Sequence, residues 1–297
     1  MKVLITFLLL SFGLSIYAAP PVVPENLSDD TLRNWLKQNW YVGLHHDLGY
    51  KSARKAMYSF IDVNSDGKVT GVYTGIKKTA KNTTFLNPIN AEHTIPQSWF
   101  NKRHPMKSDI HHLFPTHKDV NSARGSLPFD EIDDDLTDNW YVKGGSGIVK
   151  ARDIPSTNID SYSERIVNKS FEPREDHKGN LARAVYYFYT MYPNEAGDIS
   201  KIADKDVLFQ WHINDPVDVS ERTRNDRIEE RQGNRNPYID HPNLVARAWS
   251  SSGSTGNGNQ GDIDDNMKDL KSGIAIMEKA ATQLKSKLEG NIGQNKF

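Results

Sequence analysis

LARAVYYFYTMY, residues 181–192, constrains the fold more than any other stretch of this chain. At helical spacing it is apolar on most faces, so a helix there has to be enclosed by other elements instead of lying on a surface. Its aromatics could stack bases, but burial in the core is the expected role. A chain of 297 residues, 37% hydrophobic and 25% charged, has enough material to enclose it in one large domain or two small ones. There is no cysteine. Disulfides, thiolate zinc sites, a cysteine nucleophile and a lipoprotein anchor are therefore excluded, and stability must come from the core or from bound ions.

The two ends read differently from the middle. Lys2, an apolar run over residues 3–17 and the small residues Ala18 and Ala19 form a secretory leader. Pro20 opposes cleavage after Ala19, so residues 1–18 are expected to be removed. No later apolar run reaches the roughly 18 residues of a membrane helix, so a secreted or periplasmic product without a membrane anchor is expected. With 37 basic and 38 acidic residues, the chain lacks a strongly basic coat but keeps room for a local basic groove. Residues 250–262, rich in serine, glycine and asparagine, read as a linker. Ile263, Met267, Leu270, Ile274, Met277, Ala281, Leu284 and Leu288 then alternate spacings of four and three, predicting a C-terminal heptad helix over 263–290. Residues 263–288 could form a homo-oligomer or dock as a single helix on the main domain, and both readings stay open.

Ser28 with Asp29 and Asp30 marks a helix start, followed at helical spacing by Leu32, Trp35, Leu36 and Trp40. A second helix is expected from Lys51 to Phe60, with Ala53, Ala56, Met57 and Phe60 inward. DVNSDGKVTGVYTG matches a calcium loop at Asp62, Asn64, Asp66, Gly67 and Val69, but Tyr73 stands where a bidentate Glu is needed. The preferred reading is an Asp66-Gly67 turn into a strand through Val69, Val72 and Tyr73. Arg224, Arg227, Arg231 and Arg235 fall near one helix face, which could track phosphates. The same face could equally be a solvated one neutralised by Glu221, Asp226, Glu229 and Glu230.

NPINAEHTIPQSWF sets Glu92 beside His93. This is not the HExxH of a zinc-peptidase helix, because no second histidine follows at the required spacing and Pro96 opposes a continuing helix. Adjacent side chains of an extended segment face opposite ways. The pair can therefore serve one site only where the backbone turns or the site wraps the strand end. Taken alone, it is better read as an exposed Glu-His pair. Further on, residues 119–124 can start a short helix that presents Asn121 and Arg124 on neighbouring turns. A carboxylate and an amide oxygen are hard ligands suited to Mg²⁺, which keeps several waters and takes other contacts from substrate phosphate. A neutral histidine beside such an ion can deprotonate water near neutral pH. With Arg124 as a cation for phosphate, these are the parts of phosphodiester hydrolysis. If His93 is the sole base, activity should fall below pH about 6.5.

EHTIPQSW, SDIHHLFPTHKDVNSARG, LARAVYYFYTMY and RNDRIEERQGNRNPYIDHP, in this order and spacing, resemble the bacterial endonuclease I family of secreted or periplasmic nucleases. The resemblance implies an α+β fold: a mainly helical single domain, residues 19–249, around a small antiparallel sheet. It also implies the ββα-metal (His-Me finger) arrangement, in which a two-stranded element carries the histidine and a following helix carries a metal ligand. By the same resemblance His93 is the general base and Glu92 and Asn121 hold one Mg²⁺, with Mn²⁺ or Ca²⁺ as substitutes. The implied partner is DNA, often RNA as well, cut with little sequence preference to leave 5′-phosphates. Three departures stand out. The chain lacks the cysteines of well-known periplasmic members and carries a linker and tail outside the family core. The basic insertion between the EH and SDxH motifs is also short, which leaves Arg103 as a positional candidate for a phosphate contact.

Among the other histidines, His111 could orient the site or bind phosphate, or could simply be hydrogen-bonded inside its loop. His104, His112 and His117 are expected to be peripheral. One rival reading, a zinc hydrolase using several histidines, leaves Glu92 and Asn121 unexplained. A second is a catalytically vestigial secreted nucleic-acid-binding or matrix protein multimerised by its tail; the intact Glu92, His93, Asn121 and Arg124 argue against it.

Overall fold

The structure is a computed structural model that describes residues 21–145 and 147–249; the expected leader, linker and heptad tail lie outside them. The chain opens with α1 (Asp29–Trp40) and α2 (Tyr50–Ala56), the latter running on through a widened turn to Ile61. Strands β1 (Lys68–Thr70) and β2 (Lys77–Thr79) form one antiparallel pair, and β3 (Ile89–His93) and β4 (Leu113–His117) form another. Helix α3 (Lys118–Arg124) follows β4 directly. Next come β5 (Asn139–Lys143), β6 (Ile148–Ala151), β7 (Ser163–Ile166) and β8 (Ser170–Glu172), an antiparallel sheet of order β6-β5-β7-β8. The rest is helical: α4 (Glu175–Met191), α5 (Lys205–Asn214), α6 (Val219–Gln232), α7 (Pro237–Asp240) and α8 (Leu244–Trp249). Among the described residues this is one α+β domain of eight α-helices and small antiparallel sheets.

Helix α4 contains the 181–192 stretch and is its centre, with only Glu175, Asp176 and Asn180 not buried. The two acids in its first turn suit the positive end of the helix dipole. Leu36 and Trp40 of α1, Phe171 of β8, Trp211 of α5 and Tyr238 of α7 close the cluster around it. A second cluster joins Met57, Ile61, Val69, Ile228 and Ile110 to Ile89 and Leu113 of the β3–β4 pair. Val120 of α3 belongs to the first cluster, so strand pair and helix are anchored in both cores.

The expected strand through Val69, Val72 and Tyr73 ends at Thr70. A side chain on Gly71 would lie 3.4 Å from the His117 backbone nitrogen, and Val72 donates 2.8 Å to the Pro115 carbonyl. The chain thus leaves β1 to run against β4, a tertiary contact that β periodicity does not encode. Asp66, in the calcium-like loop, is engaged by Lys77, and Asp62 by Arg224.

The arginines of α6, with Arg235 just beyond its end, bear out part of the neutralised reading, through pairs with Asp226, Glu229 and Glu230, and add partners that neither reading named. Arg224 reaches Asp62 at 2.7 Å and the Leu113 carbonyl at 2.6 Å, and Arg227 caps the carbonyls of Phe60, Ile61 and Val63. Arg235 binds Asp226, Glu229 and Asp240. Glu221 is buried and bidentate to Arg183, while Arg231 lies 4.4 Å from the centre of the Phe60 ring and makes a loose 3.5 Å pair with Glu230. Most of the row therefore clasps the protein's own backbone and carboxylates. In α8, Arg247 binds the carbonyls of Pro24, Glu25 and Leu27.

Candidate active site

The β3–β4 register pairs Glu92 with Phe114 and His93 with Leu113. Strand β3 ends at His93, which resolves the alternation problem: Glu92 and His93 line one cleft of about 490 Å³ with Asn90, Asn121 and Ser122. The His93 ring packs against Tyr50, Phe100 and His112. Its Nε2 lies 3.1 Å from the Lys107 carbonyl. A carbonyl only accepts, so that nitrogen carries the proton and Nδ1 is left as the basic one. Asn121 is oriented by the same logic. Its Nδ2 donates to Asn90 Oδ1 at 2.8 Å and to the Ala91 carbonyl at 3.2 Å, so the amide oxygen is left for the cleft.

Glu92 is 2% exposed, and both its side-chain bonds fall on Oε1, from the Tyr73 hydroxyl at 3.0 Å and Arg124 Nη1 at 2.9 Å. Oε2 remains available to a ligand. Burial pushes the carboxyl up to about 7, with Arg124 and Tyr73 pulling the other way. Burial, helped by neighbouring His112, drives His93 down to about 3. His93 is therefore neutral far below pH 6.5, and the expected loss of activity at that pH has no counterpart in its surroundings.

The other expected site residues lie elsewhere. Arg124 is 1% exposed and turned inward, binding Glu92 and the carbonyls of His93 and Thr94. It positions Glu92 and the strand end and has no face for phosphate. Arg103 is an exposed surface residue paired with Glu195. His111 is buried, its Nε2 on the Asn234 carbonyl and its ring against Tyr187. His112 and His117 are buried too, against the expectation of peripheral positions. His112 holds the Met106 carbonyl and touches the His93 ring, and His117 caps α3 through Asp119 N; only His104 is half exposed. The QGNRN motif serves the segment before β4: Gln232 and Asn234 tie Asp109, Tyr187 and the Ile110 backbone into one buried network. The zinc reading fares poorly, because His111 and His112 each spend a nitrogen on a carbonyl.

Several residues that line or support the cleft carried no motif signal. Tyr73 orients Glu92. Tyr50 and Arg54, four apart on α2, line the wall, with the guanidinium 4.3 Å from the ring centre. Phe85 stands at the rim. The i, i+4 pair of an aromatic and a cation was the available clue for α2.

The family described as Endonuclease I matches residues 28–243. The chain belongs to the endonuclease I family. The enzyme is accordingly a nuclease, a hydrolase of nucleic acid. It is 31% identical over 244 residues to an extracellular ribonuclease of Bacillus subtilis (strain 168), covering 76% of each chain. An extracellular ribonuclease of Bacillus amyloliquefaciens is 35% identical over 57% of each chain. A periplasmic deoxyribonuclease of Aeromonas hydrophila is 30% identical over 48% of the enzyme and 49% of the relative.

Among the described residues one other group could hold a metal ion: Glu131, Glu172 and Glu175, whose carboxylate oxygens gather within 4.8 Å. The Lys178 ammonium already sits among them, 3.0 Å from Glu131 and 2.7 Å from Glu172. The lysine serves as the cation of that cluster. The cleft offers a different pair of oxygens. Glu92 Oε2 and Asn121 Oδ1 are hard oxygens with no other side-chain partner, the donor type that Mg²⁺ takes alongside water and phosphate. No helix among the described residues is long and apolar enough to cross a membrane.

Proposed function

We propose that the protein is a secreted or periplasmic, Mg²⁺-dependent endonuclease that hydrolyses phosphodiesters of DNA and RNA with little sequence preference, leaving 5′-phosphates. The observation that carries the reading is the convergence of three oriented groups on one cleft. They are His93 with Nε2 tied to the Lys107 carbonyl, Glu92 with Oε2 available, and Asn121 with its amide nitrogen turned away. The β3–β4 pair and α3 that carry them have the order of a ββα-metal motif. The extracellular and periplasmic relatives support the location.

In this reading Glu92 and Asn121 hold the ion. When bound, it offsets the negative charge that builds on the phosphate and its leaving oxygen. His93 Nδ1 takes the proton of the attacking water, and the Lys107 carbonyl stabilises the imidazolium through Nε2–H. Arg124 keeps Glu92 Oε1 engaged so that Oε2 faces the cleft. Arg54, the cleft's arginine, takes the phosphate contact first assigned to Arg124 and Arg103. Recognition through phosphates accepts both polymers and reads no sequence.

The test incubates the purified protein with DNA and RNA side by side, with Mg²⁺ and with EDTA, alongside His93→Ala. Cleavage of both polymers that EDTA stops and His93→Ala abolishes is expected. Wild-type rates from His93→Ala would sink the assignment.

A further inference from the structure

Phe85 is the single aromatic residue among the described ones that is largely exposed, at 48%. It lies on the rim of the cleft that holds Glu92, His93 and Asn121. Its backbone is held in place: Thr83 Oγ1 accepts from the Phe85 N–H at 3.3 Å and donates to the Phe85 carbonyl at 3.2 Å. The next residue, Leu86, is buried in the second core and bridges to Ile89 at the start of β3. Neighbouring side chains on an extended segment point opposite ways, so the anchoring of Leu86 sends Phe85 outward. Tyr50, which also lines the cleft, already has Arg54 and Lys107 against its ring. Among the described residues Phe85 has neither a ring partner nor a cation.

We infer that Phe85 is a nucleobase subsite, a stacking platform for an unpaired base next to the scissile phosphate. An exposed ring of this size next to a polar cleft has little to gain from water. Every base has a π-face to lay on it, which gives affinity without sequence preference. A base inside a duplex is already stacked on its neighbours, so the subsite selects single-stranded RNA or DNA, and stacking alone does not distinguish the two sugars. Arg54, which also lines the cleft, offers a guanidinium for the backbone phosphate. The inference rests on the proposed reading of the cleft as the active site.

The experiment compares kcat/KM, with Mg²⁺, on a short single strand and on the same strand with every base replaced by an abasic tetrahydrofuran unit. The parent should prefer the base-bearing strand, and Phe85→Ala should lower that preference roughly 5- to 150-fold, the range of one base–aromatic stack. Phe85→Trp should restore it. In a Phe85→Trp, His93→Ala double variant, which binds without cutting, added base-bearing strand should quench the new tryptophan, and the abasic strand should not. A preference that survives Phe85→Ala, an equal loss on both strands, or an unquenched tryptophan would overturn the subsite. Cleavage that survives His93→Ala in the parent background would overturn the reading of the cleft itself, and the subsite would fall with it.

Discussion

Arg124→Met separates the two roles an arginine can have beside a catalytic carboxylate. The guanidinium binds Glu92 at 2.9 Å and the carbonyls of His93 and Thr94 at 3.0 and 2.9 Å, and lies 4.3 Å from the centre of the Phe129 ring. Removing one partner of a buried ion pair costs about 3–5 kcal/mol while the other stays charged. Glu92 has an escape, because burial already holds it at about 7 with Arg124 in place; without that cation it keeps its proton to higher pH. A carboxyl raised on folding binds more protons folded than unfolded. Stability therefore falls as pH climbs above the unfolded value, and stops falling once the folded group ionises. In the parent that fall ends at about pH 7, whereas in the variant it continues. The gap between them should widen by about 1.4 kcal/mol per pH unit above 7. The expected loss is then about 1–3 kcal/mol at pH 7 and about 2 kcal/mol larger at pH 8.5. Urea denaturation in EDTA at the two pH values measures it. A loss below about 1 kcal/mol at pH 8.5, or one that does not change with pH, would refute the inward role. A raised KM on unchanged stability would return Arg124 to the phosphate.

Asn121→Ala should raise the Mg²⁺ concentration for half-maximal cleavage by at least about tenfold. Asn121→Asp should rescue little, because a carboxylate cannot donate to the Ala91 carbonyl as the amide does; Mg²⁺ titrations of both variants decide. Cleavage by the parent at saturating Mg²⁺ should show no limb at the ordinary histidine pKa of about 6.5, since burial keeps His93 neutral there. A kcat profile breaking at that pH would mean that water reaches the ring. Tyr187→Phe removes a hydroxyl that donates to Asp109 at 2.9 Å and accepts from Asn234 at 2.7 Å. It should cost about 1–3 kcal/mol in urea melts, and a neutral result would mean that water fills the gap.

The elements read correctly from the sequence are those whose signal is local. The spacing of Leu32, Leu36 and Trp40 and the all-round apolar character of 181–192 are properties of the helices themselves, and both helices are there. The turn from β1 onto β4 was missed because its cause, the close approach of Gly71 to the His117 backbone, belongs to a strand far along the chain. Sequence also placed Glu92, His93 and Asn121 near one another, but not the direction of Arg124, which depends on a carboxylate and two carbonyls that only folding gathers. The α6 arginines were weighed against carboxylates and phosphates, whereas several of their partners are backbone carbonyls, which no side-chain pattern records. Tyr50, Arg54 and Phe85 enter the cleft from segments preceding the motif, so motif spacing could not find them.

The guanidinium clasps have a consequence for how the protein matures. Arg227 gathers the carbonyls of residues 60, 61 and 63, Arg247 those of 24, 25 and 27, and Arg224 those of 110 and 113. Each joins segments far apart in sequence, the task that cross-linked thiols perform in many exported proteins. These joins form and break with the fold and need no oxidant, no isomerase and no particular electron balance around the cell. With no cysteine in the chain, these joins hold no covalent bond that a reducing or an oxidising medium could break or make.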